Sequence, residues 1–278
     1  MSERTHAVSI VILTLNEETN LPQCLASVAG ADDVVILDSG STDRTAEIAR
    51  AAGARVFTNP FRDFAQQRNH AHQRIEFKNP WVFHLDADEQ MTPELLAECA
   101  AILADAPFDG YYSAPHMMFH DRWLKRCTDF PAWQARFARV KGFNFIQVGH
   151  GQREAPDMRM GFLQGAYLHD ISVPDLADWE NKHRRYAQQE AVRALAEQRP
   201  IMHSLRAFFA GPALERRRAL KQLSYRLPFR PFFRFFYQYI LRGGFLDGAS
   251  AFRYCRLLAR YERYAAEELS SLRKKNHE

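Results

Sequence analysis

Trp81-Val82-Phe83-His84-Leu85-Asp86-Ala87-Asp88-Glu89 is the stretch that decides the fold. A short apolar run follows Asn79-Pro80 and ends in three carboxylates within four residues. The apolar part reads as a strand covered on both faces, as in a parallel sheet. Its carboxyl end is then where open α/β sheets place their ligands. Carboxylates crowded together repel one another unless a cation sits among them, and hard divalent ions such as Mg²⁺ or Mn²⁺ suit oxygen-rich company. A plainer reading makes Asp86, Asp88 and Glu89 loop and helix-start residues, because Thr92-Pro93-Glu94 has the pattern of a helix N-terminus.

The flanking sequence favours the first reading. Upstream, Ala7 to Leu13 is a β-branched run ending in Thr14-Leu15-Asn16-Glu17-Glu18. A helix carrying Leu21, Cys24, Leu25 and Val28 at helical spacing follows, with Asn20 as its expected cap. Asp33 to Leu37 is a second strand, ending in Asp38-Ser39-Gly40-Ser41-Thr42-Asp43. Ser41 or Thr42 is the expected cap of a helix through Ala52, closed by Gly53. Ala54 to Phe57 makes a third strand, and a helix over about 64–74 precedes Trp81. Strands alternating with helices indicate βαβ units, and right-handed crossovers bring the loops at Leu15, Asp38 and Asp86 to one edge. Gly-x-Gly-x-x-Gly and Gly-x-x-x-x-Gly-Lys-Ser/Thr are both absent, which disfavours a dinucleotide site and a P-loop. A metal-assisted nucleotide site without a glycine loop remains.

Val8 to Asn16, Asp38 to Asp43 and Asp86 to Glu89, in that order and spacing, resemble the GT-A fold of family 2 glycosyltransferases over about the first 110 residues. Bacterial members that build lipopolysaccharide core or exopolysaccharide are the most similar. The resemblance implies an inverting enzyme using a nucleotide-diphosphate sugar, with UDP as the expected nucleotide. It also implies a Rossmann-like, mixed and mainly parallel sheet flanked by helices. Residues 1–200 would form the catalytic domain, divided at 108 into nucleotide-sugar and acceptor halves, and 201–278 a helical extension. Thr14, Leu15, Asn16 and Glu17 would line the nucleotide pocket, and Asp38 would accept from uracil or ribose. Ser39 stands where many relatives have a second Asp. Arg68 would offset diphosphate charge. Asp86-Ala87-Asp88 would hold Mg²⁺ or Mn²⁺ on the diphosphate, with His169 reaching the metal or the phosphates. An inverting transfer needs a base at the acceptor hydroxyl. Glu154, in Gly149-His150-Gly151-Gln152-Arg153-Glu154, is the candidate, with Asp121, Asp129 and Asp170 as alternatives. Trp123 and Trp133 suit either the core or stacking on a sugar.

The chain has 278 residues, 46% apolar and 25% charged, an ordinary globular balance. The opening residues lack a signal-peptide core, so a cytoplasmic location is expected. Cys24, Cys99, Cys127 and Cys255 are far apart and read as buried reduced thiols. Residues 201–278 carry 16 Lys and Arg against 6 Asp and Glu, while the whole chain is only +4. Arg216 to Arg242 holds eight basic residues and no acidic ones, interleaved with Phe229, Phe232, Phe233, Phe235 and Phe236. Arg226, Arg230 and Arg234 would form a basic stripe beside an apolar face, suited to the anionic inner surface of a bacterial cytoplasmic membrane. The alternative is a helical hairpin packed on the rest of the chain, its arginines snorkelling. Lys182 and Arg185 could meet acceptor phosphate. No nucleic-acid motif accompanies the basic segment. The expected acceptor is a glycan or lipid-linked glycan. A sugar nucleotidyl- or phosphotransferase, and a catalytically silent membrane-binding module, are the competing readings.

Overall fold

The computed structural model describes residues 6–275 except 103, 149, 150, 197–201 and, between 203 and 228, all but 206, 209, 212, 215, 216, 219 and 223–225. His150 and Arg226 therefore lie outside the described residues. Two compact units are present: residues 1–118 with 129–170, and residues 119–128 with 171–278. The division expected near residue 200 falls on undescribed residues; the units part at Asp170 instead, and a short segment after Met118 joins the C-terminal one.

In the first unit the elements are β1 (His6–Thr14), α1 (Leu21–Ser27), β2 (Ala31–Asp38), α2 (Thr45–Ala51), β3 (Arg55–Thr58), α3 (Phe64–Arg74), β4 (Trp81–Asp86), β5 (Glu89–Met91) and α4 (Pro93–Ala100). Then come β6 (Gly110–Ser113), β7 (His116–Phe119), β8 (Arg122–Trp123), which belongs to the second unit, β9 (Gln134–Arg139), β10 (Phe145–Val148), β11 (Gly151–Glu154), β12 (Met160–Phe162) and β13 (Tyr167–Asp170). Seven strands form one sheet in the order β12-β6-β9-β4-β1-β2-β3. β1 runs parallel to both β2 and β4, and β9 is antiparallel to β4 and β6. This is the mixed, mainly parallel, helix-flanked sheet expected of a GT-A fold.

β1 is covered on both faces, which is why its apolar run has no polar alternation. Val8, Ile10 and Ile12 point into one core with Leu21 and Cys24 of α1 and Leu95 and Leu96 of α4. Val11 points the other way, with Val35, Val82 and Ala71 of α3. Each such fully buried side chain contributes about 1.5–3 kcal/mol. Thr92 caps α4 as expected, its hydroxyl accepting from the Leu95 amide at 3.2 Å. Two other expected caps do not form. The Asn20 side chain turns back to Glu17, and Ser41 and Thr42 are drawn into the loop instead of capping α2. β13 pairs antiparallel with β5 and parallel with β7, a ladder the sequence pattern does not announce.

The second unit contains α5 (Leu176–Ala196), α6 (Arg230–Phe236) and α7 (Ala249–Lys275) among its described elements. Ala187, Ala191 and Ala194 recur at i, i+4 and i+7 on α5 and meet Tyr264, Ala265 and Leu269 of α7. Small residues on one side of the seam let the two helices approach closely. Arg230 and Arg234 do not form an outward basic stripe. Arg230 Nη2 lies 2.7 Å from Glu262 of α7, and Arg234 reaches the same carboxylate at 4.0 Å. Phe229, Phe232 and Phe233 are exposed instead. Among the described residues no helix is long and apolar enough to cross a membrane.

Candidate functional site

Strand register assembles the site. Thr14 sits opposite Asp38, and Leu13 opposite Asp86, so the carboxyl ends of β1, β2 and β4 lie side by side. Asp38, the expected acceptor from uracil or ribose, is already engaged within the loop. It is 4% exposed and already accepts from Thr14 Oγ1 (2.8 Å), Ser41 Oγ (2.5 Å), Ser41 N (2.8 Å) and Gly40 N (3.0 Å). Four donors fill the capacity of a carboxylate. Burial alone would raise its pKa; the hydrogen bonds, led by Ser41, hold it below the ordinary value. Gly40 sits at φ +98°, a conformation that suits glycine, and so lets its amide turn back to Asp38.

Asn16 and Glu17 brace the same loop. Asn16 is left-handed at φ 57°, its Oδ1 accepts from the Thr42 amide at 2.9 Å, and its own amide donates to Ser41 Oγ at 2.8 Å. The Glu17 amide donates to Thr45 Oγ1 at 2.8 Å. Of the expected pocket-lining group Thr14 is buried, Glu17 half-buried, and Leu15 and Asn16 are exposed.

Asp86 occupies a charge cluster. Arg68 Nη2 donates to its Oδ1 at 2.9 Å, and Arg136 Nη1 to its Oδ2 at 3.1 Å. Arg136 Nη2 also donates to Glu89 Oε1 at 2.7 Å, and Glu89 Oε2 accepts from the Asp86 amide at 2.9 Å. Two arginines thus balance two carboxylates. Arg68, expected to offset diphosphate charge, is 1% exposed and bound to Asp86. Burial tends to raise Asp86, but Arg136 and Arg68 outweigh it and hold the carboxyl below its usual range. Glu89 is pushed up to about 7, mainly by burial, with Arg136 opposing and Asp86 reinforcing. Ala87 is buried and presents no side chain to a ligand.

A histidine pair lies behind this cluster. His72 Nε2 and His84 Nε2 are 2.8 Å apart, and His72 Nδ1 is 3.0 Å from the Val140 carbonyl. That carbonyl requires a proton on His72 Nδ1, so His84 Nε2 is the donor between the rings and His84 Nδ1 an acceptor. Burial lowers both pKa values, keeping the pair neutral. His84 Nδ1 and the Nε and Nη1 of Arg68 have no hydrogen-bond partner among the described residues.

Asp88 stands outside the balanced cluster. Its side chain is 47% exposed, and its Oδ2 lies 3.4 Å from His169 Nε2. The β5–β13 ladder makes this contact, because His169 pairs with Glu89, the residue after Asp88. Burial lowers the His169 pKa, but the Asp88 contact outweighs it and the net shift is upward. Among the described residues no group of three or more His, Cys, Asp or Glu is arranged to hold a metal. An exposed carboxylate and a half-buried imidazole fit a cation completed by phosphate oxygens and water. Asp86, with both oxygens held by arginines, fits that role poorly.

Glu154 lies on the β10–β11 hairpin directly opposite Phe145. Opposed residues in an antiparallel pair project to the same face. The Phe145 ring has the Arg68 guanidinium 6.0 Å from its centroid. Glu154 Oε1 accepts from Tyr112 Oη at 2.6 Å, and burial with Glu154 pushes that phenol up to about 12. Asp121 falls in the second unit, Asp129 and Asp170 in the first. Trp133 and Phe162 are exposed, their rings 5.0 Å apart. Sequence reasoning missed Arg136 and Tyr112. An arginine flanked by Ala135 and Phe137 inside an apolar strand was the available signal for the first.

An uncharacterized glycosyltransferase of Rickettsia bellii is 36% identical over 108 residues, 38% of this chain and 36% of that protein. The lipopolysaccharide core biosynthesis glycosyltransferase LpsC of Rhizobium meliloti is 38% identical over 102 residues, 32% of this chain and 37% of its own. The matches thus span little more than a third of these relatives. Among solved structures, Staphylococcus aureus TarS 1–349 in complex with UDP-GlcNAc covers 97% of this chain and 92% of its own, at 15% identity and TM-score 0.42. Glucosyl-3-phosphoglycerate synthase from Mycobacterium tuberculosis, in complex with Mn²⁺, UDP and glucosyl-3-phosphoglycerate, covers 49% and 57% at 19% identity and TM-score 0.36. The family model for glycosyl transferase family 2 matches residues 9–155, more than half of the sequence, and the chain belongs to that family.

Proposed function

We propose that the first unit transfers a sugar, with inversion, from a nucleoside diphosphate donor, UDP being the nucleotide expected, to a hydroxyl of a glycan or lipid-linked glycan. The observation that carries the proposal is the pairing of exposed Asp88 with half-buried His169 beside the aligned carboxyl ends of β1, β2 and β4. Asp88 and His169 would hold Mg²⁺ or Mn²⁺, which when bound neutralises the charge that grows on the leaving diphosphate. Asp86 and Glu89, pinned by Arg136, fix the backbone from which Asp88 projects. Asp38, Asn16 and Glu17 hold the nucleotide loop in shape, and Leu15 is an exposed apolar side chain on its rim. Glu154 takes the proton of the acceptor hydroxyl as that oxygen bonds to the anomeric carbon and the bond to the diphosphate breaks. Tyr112 orients the carboxylate for that role.

The exposed aromatic surface of the second unit supports a seat on an anionic membrane, with the phenylalanines entering the interface. Arg230 and Arg234 are engaged by Glu262, so the apolar side chains would carry this contact.

Product analysis with UDP-sugars and Mn²⁺ tests the chemistry. Free UDP together with a glycosylated acceptor of inverted anomeric configuration is the expected result. Release of pyrophosphate would assign a nucleotidyltransferase instead.

A further inference from the structure

The second unit contains a cleft of 550 Å³ that the transfer reaction does not use. Arg253, Arg256, Arg260 and Arg263 line it, spaced i, i+3, i+7 and i+10 along α7, which brings all four to one helix face. Its apolar wall is made by Phe119, Val173 and Leu257. The volume falls within the range of small-molecule pockets.

The charges in the cleft are not internally balanced. Arg260 is paired with Glu180, and Arg263 with Glu267 at 3.8 Å. Glu262, on the same helix, is taken by Arg230. Arg253 and Arg256 have no carboxylate within ion-pair distance among the described residues; Arg256 lies 5.8 Å from the Phe252 ring centroid. Two guanidiniums with open donor edges therefore line a cleft together with the apolar side chains of Phe119, Val173 and Leu257. Guanidinium forks match phosphate oxygens, and a phosphate monoester carries about −1.5 to −2 charges at neutral pH. Two unpaired arginines supply the complementary charge, and Phe119, Val173 and Leu257 supply a surface for hydrocarbon.

We propose that this cleft binds a phosphate monoester carried on an apolar chain, an anionic lipid or lipid-linked headgroup. The site stands on the second unit alone and holds whether or not the first unit transfers a sugar.

The test uses the full chain and calorimetry with three probes: short-chain dihexanoyl phosphatidic acid below its micelle concentration, dihexanoyl phosphatidylcholine and inorganic phosphate. Phosphatidic acid is expected to bind at least about tenfold more tightly than either of the others. Arg253→Gln/Arg256→Gln is expected to weaken it by about tenfold or more, while Arg263→Gln, at a charge already met by Glu267, changes it less than about twofold. Arginine-directed modification of the unaltered protein, mapped by mass spectrometry, should show phosphatidic acid protecting Arg253 and Arg256, which removes any dependence on how the variant folds. Equal binding by the double variant, no protection at these two arginines, or equal affinity for inorganic phosphate would overturn the assignment. None of these readouts involves sugar transfer, so loss of the enzymatic reading would leave them unchanged.

Discussion

Replacing Arg136 by Met tests whether the buried charge cluster holds the Asp86–Glu89 turn in place. Arg136 is 2% exposed, as is the Glu89 side chain it contacts at 2.7 Å. Removing one partner of a buried ion pair leaves an uncompensated charge and costs about 3–5 kcal/mol. Asp86 keeps Arg68 at 2.9 Å, so most of the loss falls on Glu89. That carboxyl already sits at about 7 against an ordinary 4.5, because burial outweighs Arg136. Without Arg136 it rises further, and the sign follows: a raised acid is penalised where it must ionise. The variant's deficit should therefore be larger at pH 8 than at pH 5, the growth falling above about 7, where Glu89 of the unaltered protein begins to ionise. Urea unfolding followed by near-ultraviolet circular dichroism, at both pH values, measures it. Glu89→Gln in the Arg136→Met background should recover at least about 1.5 kcal/mol at pH 8, a coupling that independent sites would not show. A loss below about 1 kcal/mol, or simple additivity of the two substitutions, would refute the reasoning.

Other perturbations probe separate parts of the molecule. Glu154→Gln should leave UDP binding unchanged and lower kcat by at least about 100-fold, whereas Tyr112→Phe should cost less than about tenfold; steady-state kinetics with a defined acceptor distinguishes the two. Asp33 and Asp38 are both held below the ordinary 3.8, so the stability they contribute is present above that value and is lost as pH falls through their lower folded values; unfolding midpoints should drop below about pH 4, and a flat profile from pH 5 to 2 would contradict the assigned hydrogen bonds. Phe232→Ser/Phe233→Ser, both on the exposed face of α6, should weaken flotation with anionic liposomes at least about fivefold; unchanged flotation would move the membrane contact elsewhere.

The legible part of the fold is the part coded locally. β1, β2 and β4 are continuous apolar runs ending in polar loops, and the helices between them carry their own spacing and, at Thr92, their own cap. The parallel order followed from handedness, which brought Thr14, Asp38 and Asp86 together. What the sequence hid depends on distant partners. β5 is three residues long and exists because β13, some eighty positions on, pairs with it; that ladder is what sets His169 against Asp88. Arg136 stands in a strand that lies between β4 and β6 only after the chain has returned across the sheet. Asp86 and Asp88 look equivalent in sequence, yet one is held by two buried arginines and the other is exposed beside His169. The same lesson applies to Arg230 and Arg234, whose periodicity suggests an outward stripe until Glu262 turns them inward.

Calorimetric titration of UDP with and without Mn²⁺, on the unaltered protein and on Asp88→Ala and His169→Ala, tests the central claim most directly. UDP should bind measurably only with Mn²⁺ present, each variant should lose at least about tenfold in that affinity, and each should keep its unfolding midpoint, since neither side chain is buried in the core. Metal-dependent binding that survives both substitutions would contradict the assignment of this pair as the place where the donor is held.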